Sequence, residues 1–181
     1  MGRRRADVVL KSDGSVYFTD IPAGLRGGDD DPKKELPFNG VFLLKCGRVQ
    51  LMTKEMSRPN GLAFTPDEKH LYIADSAKRT IVRYDVKPDD TIANGQVFVD
   101  MSTDRAPGNP DGMKVDQKGN VYGTGAGGVW IVSPEGKHLG TLVLPERPAN
   151  LAFGAADGKA LYLTASTGIY RIRLKIAGIR P

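Results

Sequence analysis

A short phrase recurs four times along this chain: an apolar strand, a polar turn, and a second strand that carries a tyrosine. The four tyrosines are Tyr17, Tyr72, Tyr122 and Tyr162, and successive copies lie 55, 50 and 40 residues apart. Repeats of roughly 40 to 50 residues built from short strands are typical of β-propellers, in which each repeat forms one blade. The pattern therefore predicts an all-β chain that brings equivalent residues of each repeat around one central channel.

Asp-Gly and Pro-Asp turns separate the strands, and further strands follow each tyrosine strand, as expected for four antiparallel units. The predicted blades cover four ranges: 7–53, 60–100, 111–143 and 150–175. The first three contain four strands each and the last contains three. Residues 21–39 are interpreted as an exposed insertion. Residues 1–6 form a predicted basic tail, and residues 176–181 a predicted C-terminal tail.

Four blades are few for a closed propeller, and an open propeller leaves strand edges that invite pairing. The chain also begins inside a strand pattern. We therefore expect an incomplete propeller of the six-bladed type, with blades missing at the N-terminus. Self-association through the open propeller edges is a further expectation.

Composition is ordinary for a soluble domain, with 40% hydrophobic and 26% charged residues. No apolar run approaches the roughly 20 residues that span a bilayer, and no signal peptide is visible, so no membrane partner is expected. A cytoplasmic location is the default expectation, although a truncated start would have removed an export signal.

The net charge of +5 comes largely from Arg3, Arg4 and Arg5. An arginine run can contact nucleic acid, but no aromatic residues interleave and no nucleic-acid motif follows. A solvated terminus is the favoured interpretation, with no nucleic-acid partner. Cys46 is the single cysteine, which excludes a disulfide framework and a thiolate metal site, and its place beside Gly47 indicates a turn.

Two repeats carry the same phrase just before the first strand: proline, a short side chain with an oxygen, then glycine. The short side chain is Asn60 in the second repeat and Asp111 in the third. Both would point into the channel mouth, where amide and carboxylate oxygens suit Ca²⁺ or Mg²⁺. The alternative is that both side chains cap turns through backbone hydrogen bonds. One copy alone would favour capping, whereas two copies at the same place in the repeat leave both interpretations open.

The outer two repeats break this pattern, because Ala6 and Ala149 occupy the equivalent positions. Asp7 and Asn150 follow one residue later, where strand alternation would aim them differently. Either side chain could still reach a substrate, so both are candidate substrate-binding residues. His70 and His138 each follow a lysine at a turn, and we interpret them as surface residues rather than catalytic ones.

At these residues the chain resembles the SMP-30/gluconolactonase/LRE-like family. Three segments carry most of the similarity: 58–76, 109–125 and 128–154. Shorter similar segments are 7–20, 34–42 and 169–174, so the resemblance covers nearly the whole chain. It implies a six-bladed propeller with one divalent cation, usually Ca²⁺, in the channel. The implied activity is the hydrolysis of lactones, typically those of sugar acids.

The resemblance also implies roles for individual residues. Asn60 matches a metal-ligating asparagine, and Asp111 matches an aspartate that is both metal ligand and general base. Ala6 stands where the family has another asparagine ligand, while Asp7 matches a neighbouring acid that can bind substrate. An early glutamate ligand of the family has no counterpart. We therefore expect a truncated lactonase of reduced activity, or alternatively a non-catalytic propeller fragment that acts as a binding or assembly module.

Overall fold

The computed structural model describes residues 4–179, which form four antiparallel sheets with their strands in sequence order. Blade 1 contains β1 (Arg4–Leu10), β2 (Val16–Ile21), β3 (Gly40–Lys45) and β4 (Arg48–Thr53). Blade 2 contains β5 (Pro59–Phe64), β6 (His70–Asp75), β7 (Thr80–Val86) and β8 (Ile92–Asp100). Blade 3 contains β9 (Met113–Val115), β10 (Val121–Gly125), β11 (Gly128–Val132) and β12 (His138–Leu142). Blade 4 contains β13 (Pro148–Gly154), β14 (Ala160–Ala165) and β15 (Ile169–Arg173).

The predicted propeller arrangement is confirmed. Each repeated tyrosine lies on the second strand of its own sheet, and the first strands β1, β5, β9 and β13 neighbour one another in that order. These first strands are the inner strands of the blades. Their neighbouring positions bring the starts of four sequence-distant segments to one end of the channel.

The first three tyrosines are buried between their own blade and the next. Tyr17 packs edge-to-face on Phe64 of blade 2, with ring centroids 5.1 Å apart, and Tyr122 packs likewise on Phe153 of blade 4 at 5.4 Å. Such aromatic pairs contribute about 0.5–1.5 kcal/mol beyond the burial of their surface. Tyr162 occupies the same position in blade 4 but is 37% exposed, because no described blade packs against that face.

Apolar side chains are exposed on the free faces of the first and last blades. Val49 in β4 is 61% exposed and Ile169 in β15 is 77% exposed. Scattered exposed apolar residues are normal in soluble proteins, but several on one sheet face form a surface suited to packing. Val8, Leu10 and Leu51 accompany Val49 on blade 1.

Regular structure extends into both predicted tails. Strand β1 already begins at Arg4, so only residues 1–3 of the predicted basic tail lie outside the described residues, as do residues 180–181. Near the other end, the amides of Gly178 and Ile179 donate to the carbonyls of Gly158 and Val115 at 3.1 and 3.0 Å. This segment therefore joins blade 3 to blade 4.

Three smaller features complete the fold. Trp130 is buried in β11, where its indole N–H donates to the carbonyl of Ala126 at 2.8 Å and its ring stacks on His138. Cys46 has a φ of 49° in the exposed turn between β3 and β4, as expected for a turn residue. The insertion after β2 contains one 3-10 turn, Gly28–Asp30. Within residues 4–179 no helix is long and apolar enough to cross a membrane.

Candidate functional site

Four polar side chains meet where the inner strands begin, and we call them the mouth cluster: Asp7, Asn60, Asp111 and Asn150. All four are half-buried. Burial raises the pKa of Asp111, the nearby negative charge of Asp7 adds to the rise, and the side chain of Asn60 is close enough to oppose it. Asn150 in turn lies close enough to Asp7 to lower its pKa, against the larger opposite effect of burial. The structure thus brings together all four residues that the sequence nominated.

The glycine after Asn60 or Asp111 is required by the packing of neighbouring inner strands. The amide of Gly61 donates to the carbonyl of Asp111 at 3.0 Å, and a Cβ on Gly61 would lie only 2.0 Å from that carbonyl oxygen. A Cβ on Gly112 would lie 2.2 Å from Oδ1 of Asn150. Real Cβ atoms do not approach other heavy atoms this closely, so both positions need glycine for close approach.

Asp7 and Asn150 reach the cluster despite their offset of one residue. The β1–β2 pairing shifts register between Arg5 and Val8, and the β13–β14 pairing shifts between Pro148 and Asn150. At such bulges two residues oppose one, so strict alternation of side chains does not apply across them. Alternation therefore does not decide where Asp7 and Asn150 point, and Asp7 lies close enough to act on Asp111, as Asn150 does on Asp7.

One oxygen of Asp7 is left without a protein partner. Its Oδ1 accepts a hydrogen bond from the amide of Val8 at 2.8 Å, whereas its Oδ2 is buried and makes no hydrogen bond among the described residues. Buried carboxylate oxygens are costly unless they are hydrogen-bonded or bound to a cation. Asn150 accepts equivalently from the amide of Leu151 at 2.8 Å.

Burial is the main cause that raises the pKa of both acids in the cluster. For Asp111 the charge of Asp7 adds to this effect, while Arg147 and Asn60 oppose it. For Asp7 the charge of Lys114 is the largest opposing influence on the pKa. Because burial disfavours ionised carboxyls here, a nearby positive charge would stabilise their ionised form.

Three residues that sequence reasoning missed hold the cluster in place. Ser76 accepts a hydrogen bond from Nδ2 of Asn60 at 3.1 Å and donates to the carbonyl of Pro110 at 2.5 Å. Because the amide nitrogen is used in this way, Oδ1 of Asn60 is turned away from Ser76. Thr124 accepts from the amide of Asp111 at 2.9 Å, and Thr19 accepts from the amide of Asp7 at 3.1 Å.

A sequence signal for these threonines was present. They occupy equivalent positions two residues after the repeated tyrosines, in Val16–Ile21 and Val121–Gly125.

Asp75, at the end of β6, accepts hydrogen bonds from four backbone amides, those of Ser57, Arg58, Ala77 and Lys78. It thereby fixes the backbone that leads to Asn60.

The two histidines lie away from the mouth. His70 begins β6 at the end opposite to Asp75, and its Nδ1 is 3.1 Å from Asp85. His138 stacks on Trp130, and its Nε2 is 3.0 Å from the hydroxyl of Thr141. Neither contacts the mouth cluster, which agrees with their interpretation as surface residues.

The chemistry of the cluster fits a hard divalent cation. Among residues 4–179 no group of three or more His, Cys, Asp or Glu side chains is placed to bind a metal. The mouth cluster instead offers two carboxylates and two amide oxygens, and one of the carboxylate oxygens lacks a partner. Oxygen donors of this kind are those that Ca²⁺ prefers.

Comparison with known proteins places the chain in a family. The sequence pattern described as the SMP-30/gluconolactonase/LRE-like region matches residues 2–167. The chain belongs to this family. A gluconolactonase of Zymomonas mobilis is 36% identical over an alignment covering 95% of this chain and 51% of that protein. Pentonolactonase XacC of Haloferax volcanii is 29% identical and covers 90% of this chain and 53% of that protein.

A solved structure supports the same relationship. The gluconolactonase of Xanthomonas campestris is 29% identical with a TM-score of 0.80, over 96% of this chain and 59% of that one. The chain spans about half the length of the curated relatives it matches. The family assignment therefore covers nearly all of this sequence but only part of each relative.

Proposed function

We propose that this chain carries the site of a metal-dependent hydrolase of sugar-acid or related lactones. The observation that carries the proposal is the convergence of Asn60, Asp111 and Asp7 at the channel mouth, with a buried carboxylate oxygen of Asp7 that makes no hydrogen bond within the described part of the chain. The proteins named gluconolactonase and pentonolactonase among its relatives support the substrate class.

The cation would be held by Oδ1 of Asn60 and by the carboxylates of Asp111 and Asp7, with Ca²⁺ favoured by the all-oxygen donor set. When bound, a divalent cation polarises a carbonyl group toward nucleophilic attack. Ala6 and Ala149 contribute no side-chain oxygen, so we propose that the affinity for the cation is weak. Asn150 remains available for hydrogen bonds to the hydroxyl groups of a sugar lactone.

Asp111 would serve as the general base. Lactone hydrolysis forms a bond between the water oxygen and the carbonyl carbon and breaks the bond between that carbon and the ring oxygen. Asp111 takes the proton that water loses and returns it to the departing ring oxygen, which leaves Asp111 ionised again. A raised pKa makes a carboxylate a better base near neutral pH, and burial raises the pKa of Asp111.

Release of acid from glucono- and xylonolactone, corrected for the uncatalysed rate, tests this proposal. We expect hydrolysis that requires a divalent cation and falls at least about a hundredfold in Asp111→Asn, because a general base contributes about 10²–10⁴-fold. His138→Ala should retain activity, since His138 lies outside the cluster. Activity that persists in EDTA, or in Asp111→Asn, would refute the metal mechanism.

A second candidate is a non-catalytic module for binding or assembly. The exposed apolar side chains on the free faces of blades 1 and 4, such as Val49 and Ile169, favour it. Absence of cation-dependent hydrolysis together with self-association in sedimentation velocity would favour this alternative over the hydrolase.

A further inference from the structure

A cavity of about 200 Å³ lies in the channel beneath the mouth cluster. Its walls come from the inner strands of blades 1, 2 and 3 and from the C-terminal segment, and they are mostly apolar. Its apolar lining includes Val9, Ala63, Phe64, Val115 and Ile179. A cavity of about 150 Å³ lined by such side chains accepts benzene. This cavity is therefore large enough for an alkyl group of about six to eight carbons.

Lys114 gives the cavity one cationic wall. It pairs with Tyr122 in the β9–β10 ladder, as Val9 pairs with Tyr17, Ala63 with Tyr72 and Ala152 with Tyr162. Three blades thus place a small apolar residue at this position of the inner strand, and blade 3 places a lysine.

The ammonium group of Lys114 is incompletely satisfied by the protein. Its Nζ donates to the carbonyl of Met113 at 2.8 Å, and burial lowers its pKa. The charge of Asp7 opposes this lowering of the Lys114 pKa from a longer distance. Within residues 4–179 no carboxylate lies within ion-pair distance of the Lys114 ammonium. An ammonium has three donors, so two remain for a ligand. Burying a charged group without a close partner is costly, which favours a functional role over a structural one.

The charges around the cavity orient a ligand in one direction. Lys114 and Arg147 balance Asp7 and Asp111 at the mouth, so an anion there meets no net negative charge. At the opposite end Glu68 lines the cavity, and its carboxylate accepts from Ser12 at 2.7 and 2.6 Å. An anionic group would therefore favour the Lys114 end.

We propose that this cavity binds a monocarboxylate with a short alkyl chain, its carboxylate on the ammonium of Lys114 and its chain against the apolar walls. Opening of an alkyl-substituted lactone at the mouth would yield a hydroxycarboxylate of this class. That link to hydrolysis rests on the proposed function, whereas binding itself does not.

Calorimetric titration of the 181-residue chain with butanoate, hexanoate and octanoate, in EDTA, tests the proposal. Each added methylene buried against the walls should tighten binding about fourfold. The neutral hexanamide should bind at least about tenfold more weakly than hexanoate, because it loses a charge-assisted hydrogen bond. This comparison needs no variant and no metal.

Lys114→Met is the decisive variant, and Lys118→Met, in an exposed turn of the same blade, is its matched control. We expect Lys114→Met to bind hexanoate at least about tenfold more weakly and to bind hexanamide unchanged, with Lys118→Met like the wild type. The thermal unfolding midpoint of Lys114→Met should equal or exceed that of the wild type, since a buried charge is removed. Lys114→Gln serves as the second variant if the methionine form does not fold.

Equal binding of hexanoate and hexanamide, or unchanged hexanoate binding in Lys114→Met, would overturn the proposal. So would the absence of any gain with chain length. Because the titrations contain EDTA and no lactone, they succeed or fail independently of the hydrolase. Loss of lactonase activity alone would leave the binding result intact.

Discussion

The inner strands begin in two different ways, and the difference explains how the mouth is built. Blades 2 and 3 place an oxygen-bearing side chain first and glycine second, as in Asn60-Gly61. Blades 1 and 4 place alanine first and the polar residue second, as in Ala149-Asn150. The space left by Gly112 is occupied by Asn150 from the next blade. Glycine at this position therefore lets the neighbouring inner strand approach closely: Gly112 admits the side chain of Asn150, and Gly61 admits the backbone carbonyl of Asp111.

Among the tests of this comparison, Gly61→Ala has the largest expected effect on stability. The added Cβ would meet the carbonyl oxygen of Asp111, which as backbone cannot rotate away. We expect a loss of about 3 kcal/mol or more in the free energy of unfolding, typical of severe overpacking in a core, measured by urea denaturation. Ala149→Gly is the matched control at an exposed position of blade 4, and it should cost no more than about 1 kcal/mol. Equal effects of the two changes would show that the two patterns are interchangeable.

The second test concerns the two polar residues in blades 1 and 4. Asp7→Asn removes a charge and the unpartnered oxygen, so the affinity for Ca²⁺ should fall at least about tenfold, because ligand charge sets calcium affinity. Asn150→Ala removes an oxygen that already accepts from the amide of Leu151, so the affinity should fall less than about threefold. Calcium titration by calorimetry measures both. A larger loss in Asn150→Ala would reverse the roles assigned to the two residues.

The smallest expected effect is on the pH dependence of stability. The pKa of Asp7 is raised above its ordinary value of 3.8, mainly by burial. Between the ordinary and the raised pKa, the folded chain therefore keeps a proton on Asp7 that the unfolded chain has released. Its contribution to stability therefore falls as pH rises from about 4 through the raised pKa. In EDTA, Asp7→Asn should raise the thermal unfolding midpoint at pH 7 and leave it nearly unchanged at pH 3.5. A midpoint that falls at pH 7 would show that the ionised carboxylate is stabilising.

The repeated tyrosines and explicit turns were enough to predict four blades, the first three with four strands and the last with three, and the sheets of the structure have these strand numbers. The convergence of Asn60 and Asp111 also followed from the repeat. The place of Asp7 did not, because its blade has alanine at the position of Asn60 and Asp111, and alternation does not hold across the register shift in β1–β2. The role of Lys114 was missed for a related reason. A lysine within an apolar strand is easily assigned to solvent, and only the packed channel shows that it is half-buried.

The burial of Trp130 in blade 3 has a practical consequence for spectroscopy. As the single tryptophan of the chain, it makes indole fluorescence a reporter of the blade that carries Asp111, whereas far-ultraviolet circular dichroism averages over all four sheets. In repeat architectures each unit contacts mainly its neighbours, and cooperativity between units can break down. Fluorescence and dichroism transitions that fail to coincide would mean that the blades melt separately, so a signal recorded at one wavelength would describe the blade of Asp111 and not the molecule.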